Sequence, residues 1–255
     1  MSTNLRGKVI ALTGGGGGMG IETAKMLAAR GAKVSMADVK ATDTVMRAVA
    51  DEITQAGGTA MVTVVDVRDR ASVDAWIEKT VVAFGKLDGA ANLAGILPKN
   101  FHTSKETIEE QDDAEWDRVL GVNLTGVMYS MRAEVKHMND GGSIVNASSI
   151  AGLMGTPKNM SYGASKFGVV GLTKCAAVDL GPSRSIRVNC IAPGTIRTPM
   201  YGQVIKARGD EIPMTQQIKR DGRPDEIASL CCWLLCNESS YITGQVHNIC
   251  GGYIC

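Results

Sequence analysis

A run of five glycines, within TGGGGGMG at residues 13–20, limits the possible folds of this chain more than any other feature. It follows KVIALTG (8–14), whose apolar residues predict a buried strand, and it precedes a segment at 19–31 with the pattern of a helix that ends at Gly31. A helix N-terminus presents unsatisfied N–H groups and a partial positive charge, and side chains there would hold a phosphate away. The run therefore predicts a strand, a glycine turn and a helix that bind the pyrophosphate of a nucleotide; a merely flexible turn is the alternative.

Strand-like and helix-like segments alternate along the rest of the chain. The predicted strands are 8–14, 32–39, 60–67, 87–95, 141–149, 185–194 and 244–249. The predicted helices are 19–31, 42–56, 70–84, 113–138, 160–181 and 224–236, with 195–223 irregular or partly helical. This alternation predicts an α/β fold: a Rossmann-like, doubly wound parallel sheet flanked by helices on both faces. Because no linker or repeat interrupts the pattern, we expect a single domain over 1–255.

Composition and charge exclude several classes of function. The formal net charge of +1 provides no strong field to attract nucleic acid or an anionic membrane. No apolar run approaches the ~20 residues that span a bilayer, and the N-terminal residues lack the pattern of a signal peptide. The seven cysteines form no C-x-x-C pair and the three histidines lie far apart, so no metal site is predicted. We expect a cytoplasmic protein with reduced cysteines that binds neither nucleic acid nor membrane.

Asp38 ends the second predicted strand, 18 residues after Gly20. A carboxylate at that position accepts hydrogen bonds from the adenosine ribose and repels a 2′-phosphate. We find no basic residue placed at the end of that strand, which favours NAD(H) over NADP(H). A helix N-cap or a surface carboxylate is the alternative. Asp66, at the end of the third predicted strand, is a weaker candidate for contacting adenine.

Tyr162 and Lys166 lie four residues apart near the start of a predicted helix, in YGASK. This spacing places both side chains on one face of the helix, and a neighbouring ammonium group favours a phenolate. We therefore expect Lys166 to lower the pKa of Tyr162, which would suit the tyrosine for proton transfer. The preceding strand ends in NASS, so Ser148 or Ser149 is expected at the same edge of the sheet, where ligands bind in such folds. A surface Tyr/Lys pair without function is the alternative.

Together these motifs resemble the short-chain dehydrogenase/reductase family, and the resemblance covers nearly all 255 residues. The matching residues, in family order, are Thr13, Gly14, Gly18 and Gly20 (T-G-x-x-x-G-x-G); Asn92, Ala94 and Gly95 (N-x-A-G); Asn123; Ser149; Tyr162 and Lys166 (Y-x-x-x-K); and Pro193, Gly194 and Thr198. The chain departs from the family pattern at Gly15–Gly17, where side chains are common. It also has Cys250 where the family often has the Asp of D-G-G, which puts a local turn contact in doubt.

The resemblance implies a role for each matched residue. Tyr162 acts as general acid/base on the substrate oxygen, and Ser149 holds that oxygen. Lys166 binds the nicotinamide ribose and tunes Tyr162, while Asn123 supports a water in the proton relay. The implied cofactor-binding residues are Gly14, Gly18, Met19, Gly20, Asp38, Asp66, Val67, Asn92, Ala94, Gly95, Tyr162, Lys166, Pro193, Gly194, Ile196 and Thr198.

The resemblance also implies an activity and an assembly. The activity is that of an NAD(P)-dependent alcohol dehydrogenase or ketone reductase, with NAD preferred. The assembly is a homotetramer or homodimer, paired through the predicted helices at 113–138 and 160–181. A non-redox isomerase or cyclase on the same scaffold and a non-catalytic nucleotide-binding protein are the alternatives.

Substrate selection is expected in two segments, 96–113 and 195–215. The second is predicted to form a mobile apolar lid. The apolar residues behind this expectation are Pro199, Met200, Tyr201, Ile212, Pro213 and Met214, with Leu153, Met154 and Met160 near the catalytic residues in sequence. They predict a hydrophobic alcohol or ketone, of an alicyclic, terpenoid, steroid-like or polyketide kind. Core packing or a subunit interface is the alternative explanation.

Overall fold

Seven strands form one parallel sheet in the computed structural model, which describes residues 4–101, 103–208 and 214–254. The strands are β1 Val9–Thr13, β2 Lys33–Asp38, β3 Thr59–Val64, β4 Leu87–Asn92, β5 Met138–Ala147, β6 Arg187–Pro193 and β7 Val246–Ile249. Their order across the sheet is β3-β2-β1-β4-β5-β6-β7, and each neighbouring pair is parallel. The predicted doubly wound parallel sheet is confirmed.

Eight α-helices connect or follow these strands in the described part of the chain. They are α1 Gly18–Ala29, α2 Asp43–Gln55, α3 Arg70–Phe84, α4 Asp113–Leu120, α5 Gly126–His137, α6 Met160–Arg184, α7 Pro199–Arg208 and α8 Pro224–Leu235. A π-helical turn over Gly121–Thr125 joins α4 to α5, so the predicted long helix at 113–138 contains a bulge. Across the described ranges, no helix is both long and apolar enough to cross a membrane.

The helices bury apolar side chains against both faces of the sheet. Along β1, Ile10 and Leu12 pack on one face while Val9 and Ala11 pack on the other, because successive side chains of a strand point in opposite directions. The first face is covered by side chains of α1, α2 and α8, among them Leu27, Met46, Ile53, Ile227 and Leu234. The second is covered by α3, α5 and α6, through Trp76, Ile77, Val127, Met131, Val169 and Ala177. Burial on both faces accounts for the continuous apolar runs of these strands.

The order of the strands reverses between β1 and β4. From β1 the chain proceeds outward to β2 and β3, then returns to β4 on the other side of β1 and continues to β7. The connections after β1 and β4 therefore leave the sheet toward opposite faces, and a crevice opens between them at the carboxyl ends of the strands. The sequence motifs at 13–20 and 92–95 lie at the mouth of this crevice.

The predicted lid at 195–215 is described only in part. Its described portion contains α7, within the segment that was expected to be irregular or partly helical. Residues 209–213, which include Ile212 and Pro213 of the predicted apolar lid, lie outside the described residues. A mobile lid therefore stays a prediction.

Candidate active site and nucleotide cleft

At Gly14, Gly16 and Gly20 of the glycine loop, neighbouring atoms leave no room for a side chain. A Cβ on Gly14 would lie 2.7 Å from the backbone nitrogen of Ala94, and one on Gly20 would lie 2.0 Å from the carbonyl oxygen of Gly14. Gly14 also has a φ of +73°, a conformation that side chains disfavour. A Cβ on Gly16 would lie 2.4 Å from Cβ of Thr42. The loop therefore passes close to the turn after β4 and folds tightly onto the start of α1.

A cleft of about 770 Å³ opens at this edge of the sheet. Ten residues of the predicted cofactor set line it: Gly14, Gly18, Met19, Gly20, Asp38, Asp66, Val67, Ala94, Gly95 and Thr198. Six others do not appear among the described residues that line it: Asn92, Tyr162, Lys166, Pro193, Gly194 and Ile196. Among the residues that the structure describes, no cluster of acidic, histidine and cysteine side chains is arranged to hold a metal ion.

Asp38 lies at the end of β2, on the wall of the cleft, and its carboxylate holds the glycine loop. Its Oδ2 accepts from the backbone N–H of Gly16 at 2.9 Å, and its Oδ1 accepts from that of Val39 at 2.8 Å. The nearby Lys40 instead pairs with Asp43, with 2.9 Å between Nζ and Oδ2. The charge that faces the cleft at this point is therefore negative.

Asp66 lies two residues beyond β3 instead of at its end, because the strand stops at Val64 rather than continuing to 67. Its carboxylate pairs with Arg68 at 2.6 Å, and this hydrogen bond is the main reason why the pKa of Asp66 is lowered. Val67 is buried and packs against α5, where a Cβ on Gly126 would lie 2.7 Å from Cγ2 of Val67. Asp66 and Val67 both reach the cleft, and Asp66 does so with its charge already paired.

Tyr162 and Lys166 lie in the first two turns of α6, and Ser149 follows β5. The side chain of Ser149 acts to lower the pKa of Tyr162, which places it at the Tyr162 hydroxyl. The Lys166 Nζ donates to the carbonyl oxygen of Ala147 at 2.9 Å and lies 5.5 Å from the centroid of the Tyr162 ring. Ser148 is buried and donates to the backbone carbonyl of Lys166 at 2.8 Å. Of the two serines that the sequence left open, Ser149 is the one at the tyrosine.

Burial controls the titration of this pair. It raises the pKa of Tyr162, and the side chain of Ser149 opposes that effect. Burial also lowers the pKa of Lys166 to about 8. The pKa of Tyr162 is therefore raised and not lowered as expected, because burial is the largest effect; Lys166, whose ammonium group donates to Ala147, is not among the groups that shift it.

Asn123 lies in the π-helical turn between α4 and α5 and is fully buried. Its Oδ1 accepts from the backbone N–H of Ile96 at 2.8 Å, and its Nδ2 donates to Ile96 O at 3.0 Å and to Ser165 Oγ at 3.1 Å. It therefore ties the turn after β4 to α6. A Cβ on Gly95 would lie 3.3 Å from Nζ of Lys166 and 3.5 Å from Oδ1 of Asn123, so the catalytic residues meet the cleft wall at this glycine.

The side chain of Asn92 belongs to a buried polar network instead of the cleft. Its Nδ2 donates to Glu134 Oε2 and to Asn146 Oδ1, both at 3.1 Å. Asn146 in turn donates to Oγ1 of Thr173 at 3.0 Å. The network joins β4 and β5 to α5 and α6. The structure therefore brings only the backbone of Asn92, at the start of the N-x-A-G turn, toward the other predicted cofactor residues, and cofactor binding by Asn92 stays a prediction.

The segment after β6 closes one side of the cleft. A Cβ on Gly18 would lie 3.0 Å from Cγ2 of Thr198, so this segment reaches the start of α1. Ile196 lies behind it and lines a second, smaller cavity of about 140 Å³ together with Cys250. A Cβ on Gly194 would lie 2.9 Å from Cα of Cys250, which shows that the residue in place of the family's Asp packs closely on the turn after β6.

Sequence reasoning did not identify three residues that line or support the cleft. Phe101 lines the cleft and packs edge-on against Tyr162, with 5.9 Å between ring centroids and 76° between planes. Glu115 and Arg118 hold the backbone of 97–99, since Glu115 accepts from an N–H at 2.6 Å and Arg118 donates to a carbonyl at 2.9 Å. The spacing of Glu115 and Arg118 indicates a pair on one helix face, but no sequence signal identifies the backbone that they hold.

Glu134, in the network around Asn92, is a carboxyl group with no exposure to solvent. Burial raises its pKa to about 8, and the hydrogen bond from Asn92 opposes that effect. In the unfolded chain the same group titrates near 4.5. The folded protein therefore holds a proton on Glu134 over a pH range in which the unfolded chain does not.

We expect Glu134→Gln to stabilise the protein by an amount that grows with pH. The stabilising effect of the neutral carboxyl is complete below pH 4.5 and is lost as the pH rises toward about 8, because ionisation inside the core is costly. The amide is neutral throughout and avoids this loss. Urea denaturation at about pH 5 and about pH 8 should give a difference between variant and wild type that increases by on the order of a few kcal/mol. The same difference in the free energy of unfolding at both pH values would contradict the prediction. Glu109→Gln, which changes an exposed carboxyl group, serves as the control.

The chain is similar to known proteins over nearly its whole length. A family model described as "Enoyl-(Acyl carrier protein) reductase" matches residues 15–254. The short-chain dehydrogenase/reductase aba4 of Botryotinia fuckeliana is 46% identical, over 97% of this chain and 97% of its own. The 3-alpha-(or 20-beta)-hydroxysteroid dehydrogenase of Mycobacterium bovis is 42% identical, over 100% of this chain and 92% of its own.

Solved structures show the same similarity. The crystal structure of levodione reductase has a TM-score of 0.89 and 37% identity, over 97% of this chain and 97% of its own. A short chain dehydrogenase from Burkholderia cenocepacia, in complex with NADP, has a TM-score of 0.86 and 31% identity, over 98% of this chain and 99% of its own. The likeness thus extends to both the sequence and the three-dimensional fold.

Proposed function

The chain belongs to the short-chain dehydrogenase/reductase family, and on that premise we propose that it transfers a hydride between NAD(H) and a secondary alcohol or ketone of a hydrophobic, cyclic small molecule. One observation carries the proposal. The side chains of Ser149, Tyr162, Lys166 and Asn123 meet beside a cleft whose glycine-lined wall suits a dinucleotide. The similar proteins are dehydrogenases and reductases, which supports oxidoreduction as the general reaction.

The glycine loop fits a dinucleotide by its shape. Side chains are excluded at Gly14 and Gly20, so the backbone N–H groups at the start of α1 remain accessible to a pyrophosphate. Asp38, on the same wall, is placed to accept hydrogen bonds from the adenosine ribose. The other residues proposed to hold the cofactor are Gly18, Met19, Asp66, Val67, Asn92, Ala94, Gly95, Lys166, Pro193, Gly194, Ile196 and Thr198.

The preference for NAD over NADP rests on Asp38. A 2′-phosphate next to this carboxylate would experience like-charge repulsion, and the neighbouring Lys40 is engaged by Asp43. The solved relative from Burkholderia cenocepacia is a complex with NADP, so the family alone does not decide between the two cofactors. The local charge at the end of β2 supports NAD for this chain.

The proposed mechanism assigns proton transfer to Tyr162. When bound, the nicotinamide cofactor supplies or accepts the hydride. Because burial raises the pKa of Tyr162, its phenol is protonated at neutral pH and donates that proton to the oxygen of a ketone; in the opposite direction the phenolate takes the proton of the alcohol. Ser149, placed at the Tyr162 hydroxyl, orients the substrate oxygen.

Lys166 and Asn123 maintain the geometry of this proton transfer. With a pKa of about 8, Lys166 is mostly charged at neutral pH, and its ammonium group is held by the carbonyl of Ala147. From this position it would bind the ribose next to the nicotinamide. Asn123 holds the backbone of Ile96 and the Oγ of Ser165, which fixes α6 relative to the turn after β4. A water supported by Asn123 in the proton relay is part of this proposal.

The substrate class is proposed from the apolar wall of the cleft. The apolar residues that line the cleft include Leu97, Pro98, Phe101, Met200 and Val204. Phe101 stacks edge-on with Tyr162, so an apolar ring system bound there would lie next to the proton donor. A relative named as a hydroxysteroid dehydrogenase supports a steroid-like, terpenoid or polyketide alcohol.

The charges of the cleft support a small molecule over an acyl carrier. Three basic residues line it: Arg68 is paired with Asp66 and Arg118 with Glu115, each at 2.6 Å, while the charge of Lys99 also acts on Glu115. Paired cations provide less attraction for the phosphates of a carrier than free ones. We therefore expect carrier-bound substrates to be poorer than free cyclic alcohols.

We expect Tyr162→Phe to abolish turnover while cofactor binding persists. The substitution removes only the hydroxyl that transfers the proton, a loss of about 10²- to 10⁴-fold in rate for a general acid/base. The assay follows reduction of NAD⁺ or NADP⁺ with a panel of hydrophobic secondary alcohols, and fluorescence titration measures cofactor binding. Turnover by the folded variant at the wild-type rate would refute the mechanism. Substrate conversion without net change in cofactor absorbance would indicate an isomerase or cyclase.

We expect Asp38→Ala to shift preference from NAD⁺ toward NADP⁺ by about 10-fold or more, because a repelling charge is removed. The measurement is the ratio of kcat/KM for the two cofactors. Asp38→Asn is the matched control for the loop, since its carbonyl oxygen still accepts from the N–H of Gly16. If the ratio of kcat/KM for NAD⁺ and NADP⁺ is unchanged in both variants, Asp38 does not distinguish the two cofactors at the adenosine ribose.

We propose a homotetramer or homodimer assembled through α4–α5 and α6. On α6, Phe167 and Val178 expose 48% and 74% of their surface, three helical turns apart. Apolar side chains at such spacing suit a contact with another helix. We expect Phe167→Lys to shift the mass measured by light scattering after size-exclusion chromatography toward that of one chain. A wild-type protein that is entirely monomeric would contradict the proposed assembly.

A further inference from the structure

A buried carboxylate from the substrate side of the cleft contacts the helix that carries Tyr162. Glu106 is only 1% exposed, and its Oε2 accepts from the Oγ of Ser161 at 3.0 Å. The backbone N–H of Ser161 also acts to lower the pKa of Glu106, so the carboxyl group lies beside that N–H. Ser161 is the second residue of α6 and directly precedes Tyr162.

This contact replaces a cap that α6 lacks. The N-terminal N–H groups of a helix have no partner within the helix and are usually satisfied by the side chain of the preceding residue. That residue, Asn159, makes no such bond and donates to Oγ1 of Thr156 at 2.8 Å. Glu106, 55 residues earlier in the chain, instead brings an acceptor oxygen to this helix end, where it binds the Oγ of Ser161.

The chain that precedes Glu106 is also attached to α4. Glu115 and Arg118 hold the backbone of 97–99, which begins the stretch that we name the wall segment, residues 97–101. Phe101, at the end of the wall segment, lies in sequence between residues 97–99, which Glu115 and Arg118 hold, and Glu106, which binds Ser161. Because Phe101 also stacks against Tyr162, the wall segment and the catalytic tyrosine are held in one arrangement.

The oxygen of Glu106, more than its charge, accounts for the contact. Burial is the largest effect and raises the pKa of Glu106; the Ser161 donors oppose it, and the smaller effects of Glu115 and Arg118 act in opposite directions. A charge that is costly to bury adds little to a cap that a neutral oxygen can also form. The useful property of the side chain is therefore an acceptor oxygen of the right reach.

We propose that Glu106 is a positioning residue: by capping α6 from the substrate side, it couples the placement of the wall segment to that of the Tyr162 hydroxyl. A substrate that packs against Phe101 then lies next to Tyr162, whose position is fixed by the contact between Glu106 and Ser161. The catalytic part of this inference rests on the proposed alcohol dehydrogenase activity, whereas the structural coupling does not.

The test compares two near-isosteric variants. Glu106→Gln keeps an acceptor oxygen, and Glu106→Leu removes it while filling the same space. Ser161→Ala removes one of the two donors, and Glu109→Gln changes an exposed carboxyl on the same stretch of chain as control. For each variant, hydrogen exchange followed by mass spectrometry reports on 97–101 and 160–166. Cofactor binding is titrated with NAD⁺, and kcat and KM are measured with the alcohol of the panel that the wild type oxidises fastest.

We expect Glu106→Leu to accelerate exchange in both segments and to lower kcat/KM by about 10-fold, with changes in both kcat and the KM for alcohol. The affinity for NAD⁺ should stay within about 2-fold, because the glycine loop is untouched. Glu106→Gln should behave like the wild type, and Ser161→Ala should lie between the two. If Glu106→Leu does not fold, Ser161→Ala decides by the same measurements.

Two results would overturn the inference. The first is that Glu106→Leu leaves the rate of hydrogen exchange in 97–101 and in 160–166 at its wild-type value. This would show that the contact of Glu106 with Ser161 holds neither segment. The other is equal damage from Glu106→Gln and Glu106→Leu, which would assign the effect to charge. A wild type that oxidises no alcohol of the panel would defeat the proposed function, while the exchange comparison would still decide the coupling.

Discussion

The close approach of the glycine loop to the turn after β4 is the contact on which the nucleotide cleft depends. A single added carbon on Gly14 would come within 2.7 Å of the backbone of Ala94, and Thr13 Oγ1 accepts from that same Ala94 N–H at 3.3 Å. The next residue, Gly95, in turn lies against Lys166 and Asn123. Displacing the loop would therefore move the wall between the cleft and the side chains of Lys166 and Asn123. In the proposed function, the glycine backbone serves both the binding of phosphate and the spacing of these groups.

Three buried hydrogen bonds hold α6 in place. Asn123 donates to Ser165 from the π-helical turn, Ser148 donates to the carbonyl of Lys166, and Lys166 itself donates to Ala147 at the end of β5. Each of these polar groups is buried, so losing a partner costs the desolvation of the other. The position of α6 therefore depends on polar groups that satisfy one another. A π-helical turn at Asn123 is in keeping with the frequent use of such bulges at functional sites.

Burial, more than pairing of charges, controls the titratable groups near the site. It keeps the phenol of Tyr162 protonated and brings the pKa of Lys166 down to about 8. It acts in the same direction on two carboxyl groups, Glu106 and Glu134. Glu106 is held by the hydroxyl of Ser161, and Glu134 by the amide of Asn92. The charge that remains next to Tyr162 is the ammonium group of Lys166.

The sequence by itself determined the doubly wound sheet, the glycine loop after β1, and the Tyr162/Lys166 pair on one helix face, because each depends on residues close together in the chain. Only the tertiary structure decided which serine meets Tyr162, that Asn92 directs its side chain to Glu134, and that β3 stops before Asp66. It also decided the direction of the Tyr162 pKa, since burial depends on every element packed around the ring. The same holds for Glu106, whose partner lies 55 residues away. Local patterns specify elements and their faces, whereas contacts between distant segments exist only once the chain has folded.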